Sequence, residues 1–206
     1  MRAFFRRPAS QSFFLTGGTA LAEFYLHHRY SEDIDLFTLD RNAYGAMITD
    51  LSYLSEELNC SLTVGVSAVD FRSIFFERVG ESRLKVDLVR DAGPQFDAPQ
   101  RFNDVIVNSL LDIAVNKVTA LFGRAAVRDF VDLYFLLKQG FDLNELMRLA
   151  QEKDLGFTEF YFAGALHEIQ RARELPRMIL PLTLEELRAF FSPLAEQIML
   201  RAKPAE

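Results

Sequence analysis

The stretch Phe13-Phe14-Leu15-Thr16-Gly17-Gly18-Thr19-Ala20-Leu21-Ala22, followed by Arg29-Tyr30-Ser31-Glu32-Asp33-Ile34-Asp35-Leu36-Phe37, decides the fold. Its first half is a short apolar run closed by two glycines, after which Ala20, Leu21, Phe24 and Tyr25 recur at helical spacing up to His28. This predicts strand, glycine turn, helix. In the second half acids and apolar residues alternate from Asp33 to Thr38, the period of a strand with one wet side.

Working outward, Asn42 to Leu58 returns to helical periodicity, and Ser61–Val69, Arg72–Val79 and Arg83–Val89 read as strands, the last two joined by a turn at Gly80-Glu81-Ser82. Arg90 to Phe102 holds Gly93, Pro94 and Pro99 with little periodicity, which predicts a loop or linker. Helices are then expected over Ser109–Phe122, Ala126–Lys138, Leu143–Lys153, Thr158–Arg173 and Leu184–Arg201. Thr183 followed by Glu186 is a capping-box pattern at the start of the last one. The expected class is α/β (α+β), an N-terminal α/β lobe over 1–103 and a helical lobe over 104–206.

Composition narrows the function classes. With 206 residues and 50% hydrophobic content, the chain can bury one sizeable core or two small ones. Its apolar runs fall far short of the ~20 residues of a membrane span, and no signal-peptide pattern opens it. A single cysteine, Cys60, excludes an internal disulfide and fits a reducing compartment, so cytoplasm is expected. The net charge of −6 argues against coating nucleic acid by bulk electrostatics. Charge does not separate the halves either, with 11 basic and 14 acidic residues in 1–103 against 12 and 15 in 104–206.

Residues two apart on a strand point to the same side, so Asp33 and Asp35 present paired carboxylates while Ile34 and Leu36 turn away. Such a pair is a platform for hard divalent cations, since Mg²⁺ takes one or two carboxylates and completes its shell with water and phosphate oxygens. Two such ions can clamp the attacking and leaving oxygens of an in-line displacement. A lone Asp-x-Asp also occurs on solvated strand edges. The Gly-Gly turn sharpens the reading, because it lets backbone N–H groups approach a polyphosphate with no Cβ in the way, ahead of a helix N-terminus that favours negative charge. Thr19 adds a hydroxyl.

With those residues in view, the chain resembles the AbiEii/AbiGii toxin family of nucleotidyltransferases, which includes the mycobacterial MenT toxins. The resemblance is carried by Leu15–Ala22 and Arg29–Phe37, and extends to Lys117-Val118-Thr119-Ala120-Leu121, Arg124 and Arg128-Asp129-Phe130-Val131-Asp132-Leu133-Tyr134, similar to the family's later lysine and Arg-Asp-x-x-Asp motifs. It implies a polymerase-β-like nucleotidyltransferase lobe with a mixed sheet. It also implies an NTP substrate used with Mg²⁺, transfer of nucleotides to tRNA ends, and a partner antitoxin. Ser31, Asp33, Asp35, Lys117 and Asp129 match functional positions of the family.

The remaining candidates are argued from chemistry. Asp87 shares a strand face with Lys85 and Val89; it is either a third acid, as metal ligand or general base, or a strand charge paired with Lys85. The expected metal set is therefore Asp33, Asp35 and Asp87, holding two Mg²⁺ ions. Gly17, Gly18, Thr19, Ser31, Lys117 and Arg29 form the expected nucleotide set. Lys117 lies beside the apolar stripe of Leu110, Leu111, Ala114, Val118 and Leu121, placed to reach phosphate oxygens or to snorkel to water. Asp129 and Asp132 share a helix face; pairing with its i−4 neighbour Arg128 accounts for Asp132, so Asp129 is the first candidate to orient Lys117 or a metal-bound water and Asp132 the second. Arg29 and Arg124 contact phosphate or pair with an acid. His27 and His28 point about 100° apart on a helix, unsuited to sharing a metal, and are expected at the surface or a cleft edge. The phenylalanines are expected to fill cores, and Arg171, Arg173 and Arg177 form a basic cluster that meets either RNA or solvent. Two other functional readings stay open: a small-molecule or protein acceptor, and a catalytically inactive fold kept for binding.

Overall fold

Four consecutive buried residues, Phe13–Thr16, form a strand with both faces covered, and the sheet is built around it. The computed structural model describes residues 1–202. In chain order the elements are α1 (Arg2–Phe5), a 3₁₀ turn at Pro8–Ser12, β1 (Phe13–Thr16), α2 (Gly17–Ala20) continued by a π-turn over Leu21–Tyr25, and β2 (Ile34–Thr38). Then follow α3 (Arg41–Glu57), β3 (Ser61–Ser67), β4 (Phe71–Glu77), β5 (Leu84–Arg90), β6 (Gln100–Phe102) and β7 (Val105–Val107). The remainder is helical: α4 (Leu110–Arg124), α5 (Val127–Lys138), α6 (Leu143–Lys153), α7 (Glu159–His167) with a 3₁₀ turn at Glu168–Arg171, and α8 (Leu184–Ala202).

The chain divides into two compact units. The first comprises Met1–Tyr25, Ser31–Ala92 and Asp97–Ser109 and contains the whole sheet. Strand order is β3-β4-β5-β2-β1-β7-β6, mixed because β2 with β5 and β1 with β7 run parallel while the other neighbours run antiparallel. Helix α3 starts where the Asp40 carboxylate accepts from the N–H groups of Asn42 and Ala43, at 2.7 and 3.1 Å, satisfying donors that a helix start leaves orphaned. Its buried Met47, Leu51 and Leu54 cover the sheet. The inward side of β2 and β5, Leu36, Val86 and Leu88, is closed there, so the polar residues that alternate with them face the other way.

The second unit comprises Leu26–Tyr30, Gly93–Phe96 and Leu110 onward. Its helices begin at side-chain caps: Asp142 for α6, Thr158 for α7, and for α8 the expected capping box, in which the Thr183 N–H donates to Glu186 and the Glu186 N–H to Thr183. Phe130 and Phe191 meet edge to face in its core at 5.3 Å.

Three local expectations change. The stretch expected as loop up to Phe102 ends in β6, which pairs with β7, because three-residue strands are too short to show alternation. The helix after the glycines stops at Tyr25 instead of running to His28, and His27 takes φ +49°. Helix α7 gives way to a 3₁₀ turn after His167.

Candidate active site

In the sheet unit the register sets one row of side chains across four strands. Thr16 of β1 pairs with Asp35 of β2, Asp35 with Asp87 of β5, and Asp87 with Ser73 of β4. Directly paired residues share a face, so two carboxylates stand side by side on parallel neighbours, where strands are about 4.8 Å apart. Like charges so placed repel and call for a cation. Gly17 follows Thr16 at φ +72°, a backbone that side chains disfavour, and a Cβ there would run into the Asp35 carboxylate. The glycine is thus what lets the acid lie over the turn. Thr19 joins the turn to the next motif: its hydroxyl lies 3.0 Å from the Ser31 hydroxyl and donates to the carbonyl of Asp33.

Asp87 is held from one side only. Lys85 donates to its Oδ2 at 2.7 Å, while Oδ1 is buried with no hydrogen-bond partner among the described residues. Burial works against the Lys85 charge, but the bond to Asp87 and the fields of Asp87, Asp33 and Asp35 outweigh it and raise its pKa. All three acids therefore act on one ammonium. Among the described residues no three His, Cys, Asp or Glu side chains close into a metal-holding group. Mg²⁺ does not need one, because it takes one or two carboxylates and leaves the rest of its shell to water and substrate. The all-oxygen donors and the open Oδ1 of Asp87 fit such an ion.

The helical unit holds a second set of charges, in which every oxygen of two carboxylates is bonded. Asp129 and Asp132 of α5 are fully buried. Lys117 of α4, 5% exposed, places its Nζ 2.8 Å from Asp129 Oδ1 and 2.6 Å from Asp132 Oδ2. Arg124 donates to Asp129 through Nε and Nη2, at 2.7 and 3.0 Å. Arg29 forks onto Asp132 through Nε and Nη2, at 2.7 and 2.8 Å, and His28 Nε2 donates to the same carboxylate at 2.7 Å. Burial pushes both carboxyls upward; Lys117 and Arg124 at Asp129, and Lys117, His28 and Arg29 at Asp132, outweigh it and hold both well below the usual carboxylate range. Lys117, Arg124 and Arg29 thus all bear on these two carboxylates.

The sequence-derived candidates thus fall into two groups. Gly17, Thr19, Ser31, Asp33, Asp35 and Asp87 come together in the sheet unit through register and the Thr19 bonds, with Gly18 buried between them in the turn. Lys117, Asp129 and Arg29 come together in the helical unit, where the guanidiniums of Arg29 and Arg124 are taken up by acids. Asp132, the second choice on α5 and expected to pair with Arg128, is where Arg29, His28 and Lys117 meet. His28, expected at the surface or a cleft edge, is completely buried, since the chain leaves the helix at Tyr25 and turns it inward against Phe135 at 5.0 Å. The row partners Thr16 and Ser73 carry no sequence signal beyond their strands. Of the basic cluster, Arg171 pairs with Glu168 and Arg177 lies over the Tyr30 ring at 4.2 Å.

A seven-stranded mixed sheet followed by a helical unit is the architecture of a nucleotidyltransferase fold. The family described as "Nucleotidyl transferase AbiEii toxin, Type IV TA system" matches residues 1–203, and the chain belongs to it as a nucleotidyltransferase. It is 29% identical over 182 residues to the uncharacterized protein aq_aa25 of Aquifex aeolicus (strain VF5), covering 87% of this chain and 84% of that one. Among solved structures it resembles a candidate nucleotidyltransferase from H. pylori, with TM-score 0.65 and 19% identity over 98% of this chain and 92% of the other. It also resembles MenT4, nucleotidyltransferase toxin Rv2826c from Mycobacterium tuberculosis H37Rv, with TM-score 0.56 and 12% identity over 93% and 76%. Among the described residues no helix is long and apolar enough to cross a membrane.

Proposed function

We propose that the protein transfers a nucleoside monophosphate from an NTP to an acceptor hydroxyl at the end of a tRNA, using Mg²⁺, as a toxin countered by an antitoxin partner. The observation that carries this reading is the placement of Asp35 and Asp87 in register on parallel neighbours, with an open buried oxygen on Asp87 and a glycine kept beneath Asp35. The family membership supports the toxin role, and the resemblance noted above supports the tRNA acceptor.

In this reading Asp33, Asp35 and Asp87 hold the metal, with two ions expected. When bound, Mg²⁺ supplies Lewis-acid stabilisation of charge on the phosphate oxygens. The acceptor oxygen forms a bond to the α-phosphorus as the bond to the β-phosphate oxygen breaks, and pyrophosphate leaves. Asp87 takes the proton of the attacking hydroxyl or keeps that oxygen oriented. Gly17, Gly18 and Thr19 offer backbone N–H groups and a hydroxyl to phosphate, and Ser31 adds a second hydroxyl. Lys117 contributes cationic charge toward the triphosphate, set by Asp129. Arg29, with its fork committed to Asp132, supports that charge from within the helical unit.

The test is direct. Each labelled NTP is incubated with MgCl₂ and, in separate reactions, total tRNA, protein or small metabolites. Label should enter tRNA, and Asp33→Ala should abolish incorporation while leaving the folded circular dichroism spectrum intact. Label appearing only in protein or metabolites would replace the acceptor, and turnover retained by Asp33→Ala would refute the metal assignment.

A further inference from the structure

We infer that His28 and Asp132 are positioning residues that set the Lys117 ammonium for the phosphates of the NTP, an inference that rests on the phosphate role proposed for Lys117. The argument begins at Asp132. A carboxylate has about four lone-pair sites. Here Arg29 occupies two, His28 Nε2 a third and Lys117 Nζ the fourth, all within 2.6–2.8 Å and all in full burial. With Asp132 held ionised it can only accept, so His28 Nε2 carries the proton and donates.

His28 is itself fixed through the main chain. Its carbonyl accepts from the N–H groups of Ile179 and Leu180, at 2.9 and 3.0 Å, and the neighbouring Tyr30 N–H donates to the Arg177 carbonyl at 2.8 Å. A continuous line of bonds therefore runs from the backbone at 177–180 through the imidazole to Asp132 and on to Lys117. The end of that line is not closed. An ammonium has three N–H donors, and among the described residues Asp129 and Asp132 take two of them. That third donor is what an anionic ligand would meet.

A ring kept only for packing has no need of this chemistry. Nδ1 of His28 is buried with no hydrogen-bond partner among the described residues and beside the apolar face of Phe135, so the imidazole costs stability at one nitrogen while it serves Asp132 with the other. A phenylalanine would fill the same space without that cost.

The experiment measures binding of mant-labelled ATP, GTP, CTP and UTP in MgCl₂ by fluorescence titration, alongside urea unfolding, for wild type, His28→Phe, His28→Gln, Lys117→Met and the double variant His28→Phe/Lys117→Met. His28→Phe should weaken the nucleotide that binds best about tenfold. Gln, whose amide N–H reaches to about the position of Nε2, should restore binding to within about twofold. The double variant should bind no more weakly than Lys117→Met alone, because residues that act through one another are not additive. Should Phe be rejected by packing, His28→Met takes its place. Wild-type binding by His28→Phe, or a double variant weakened by the product of the two single effects, would overturn the inference. Wild-type binding by Lys117→Met would instead strike the phosphate role of the lysine, a separate failure.

Discussion

The two charged regions of this protein are opposites in how they treat their charges. In the helical unit Asp129 and Asp132 are surrounded by Lys117, Arg124, Arg29 and His28, every carboxylate oxygen is engaged, and both acids lie out of reach of water. In the sheet unit Asp35 and Asp87 stand side by side, Lys85 bonds Asp87, and one buried oxygen of Asp87 has no hydrogen-bond partner among the described residues. Fully bonded carboxylates hold their neighbours in place, whereas a buried carboxylate oxygen left without a donor is costly.

The largest effect that would break this contrast is on turnover. Asp35→Asn should reduce nucleotide transfer at least about a thousandfold while shifting the melting temperature by no more than a few degrees. A large drop in melting temperature would mean that the acid row, too, is structural. Next comes stability in the other region. Asp132→Ala leaves buried cations without their partner and should cost about 3–5 kcal/mol in urea unfolding; a loss below about 1 kcal/mol would place that network on a par with surface pairs. A smaller change is expected at the turn. Gly17→Ala at φ +72° should cost about 1–2 kcal/mol and reduce transfer by moving Asp35.

Acid sharpens the same comparison. Asp129 and Asp132 titrate below their ordinary value of 3.8, so the stability they provide is complete above about pH 4 and is lost as pH falls from there toward their folded-state values. Asp132→Asn should flatten that acid limb in a pH series of unfolding free energies, and an unchanged limb would assign acid sensitivity elsewhere. The smallest expected effect is the response to metal. Millimolar MgCl₂ should raise the wild-type melting temperature by a few degrees and leave Asp35→Asn unmoved.

Much of the sheet unit was legible in the sequence because its signals are local. Period-two alternation marked β2 and β5 and put Asp35 and Asp87 each on one strand face, and the double glycine marked the turn. That Asp35 and Asp87 are neighbours was not legible, since register between strands some fifty residues apart is settled by packing rather than by pattern. Strands β6 and β7 escaped for want of length. The helical unit showed the reverse: its helices were plain from their period, yet the partners of Asp132 were not. Helix spacing pointed to Arg128, and three partners arrived from Arg29, His28 and Lys117, two of them 103 and 104 residues distant. Where His28 lies depends on the chain leaving its helix after Tyr25, and a positive φ at His27 has no glycine or asparagine to announce it.

The five-residue excursion Leu26–Tyr30 into the helical unit also constrains the order in which the molecule is completed. During synthesis His28 and Arg29 emerge from the ribosome about a hundred residues ahead of the aspartate that neutralises them. Until α5 follows, both basic side chains lack the carboxylate that holds them, so the segment between the glycine turn and β2 gains its final bonds only after Asp132 has been made.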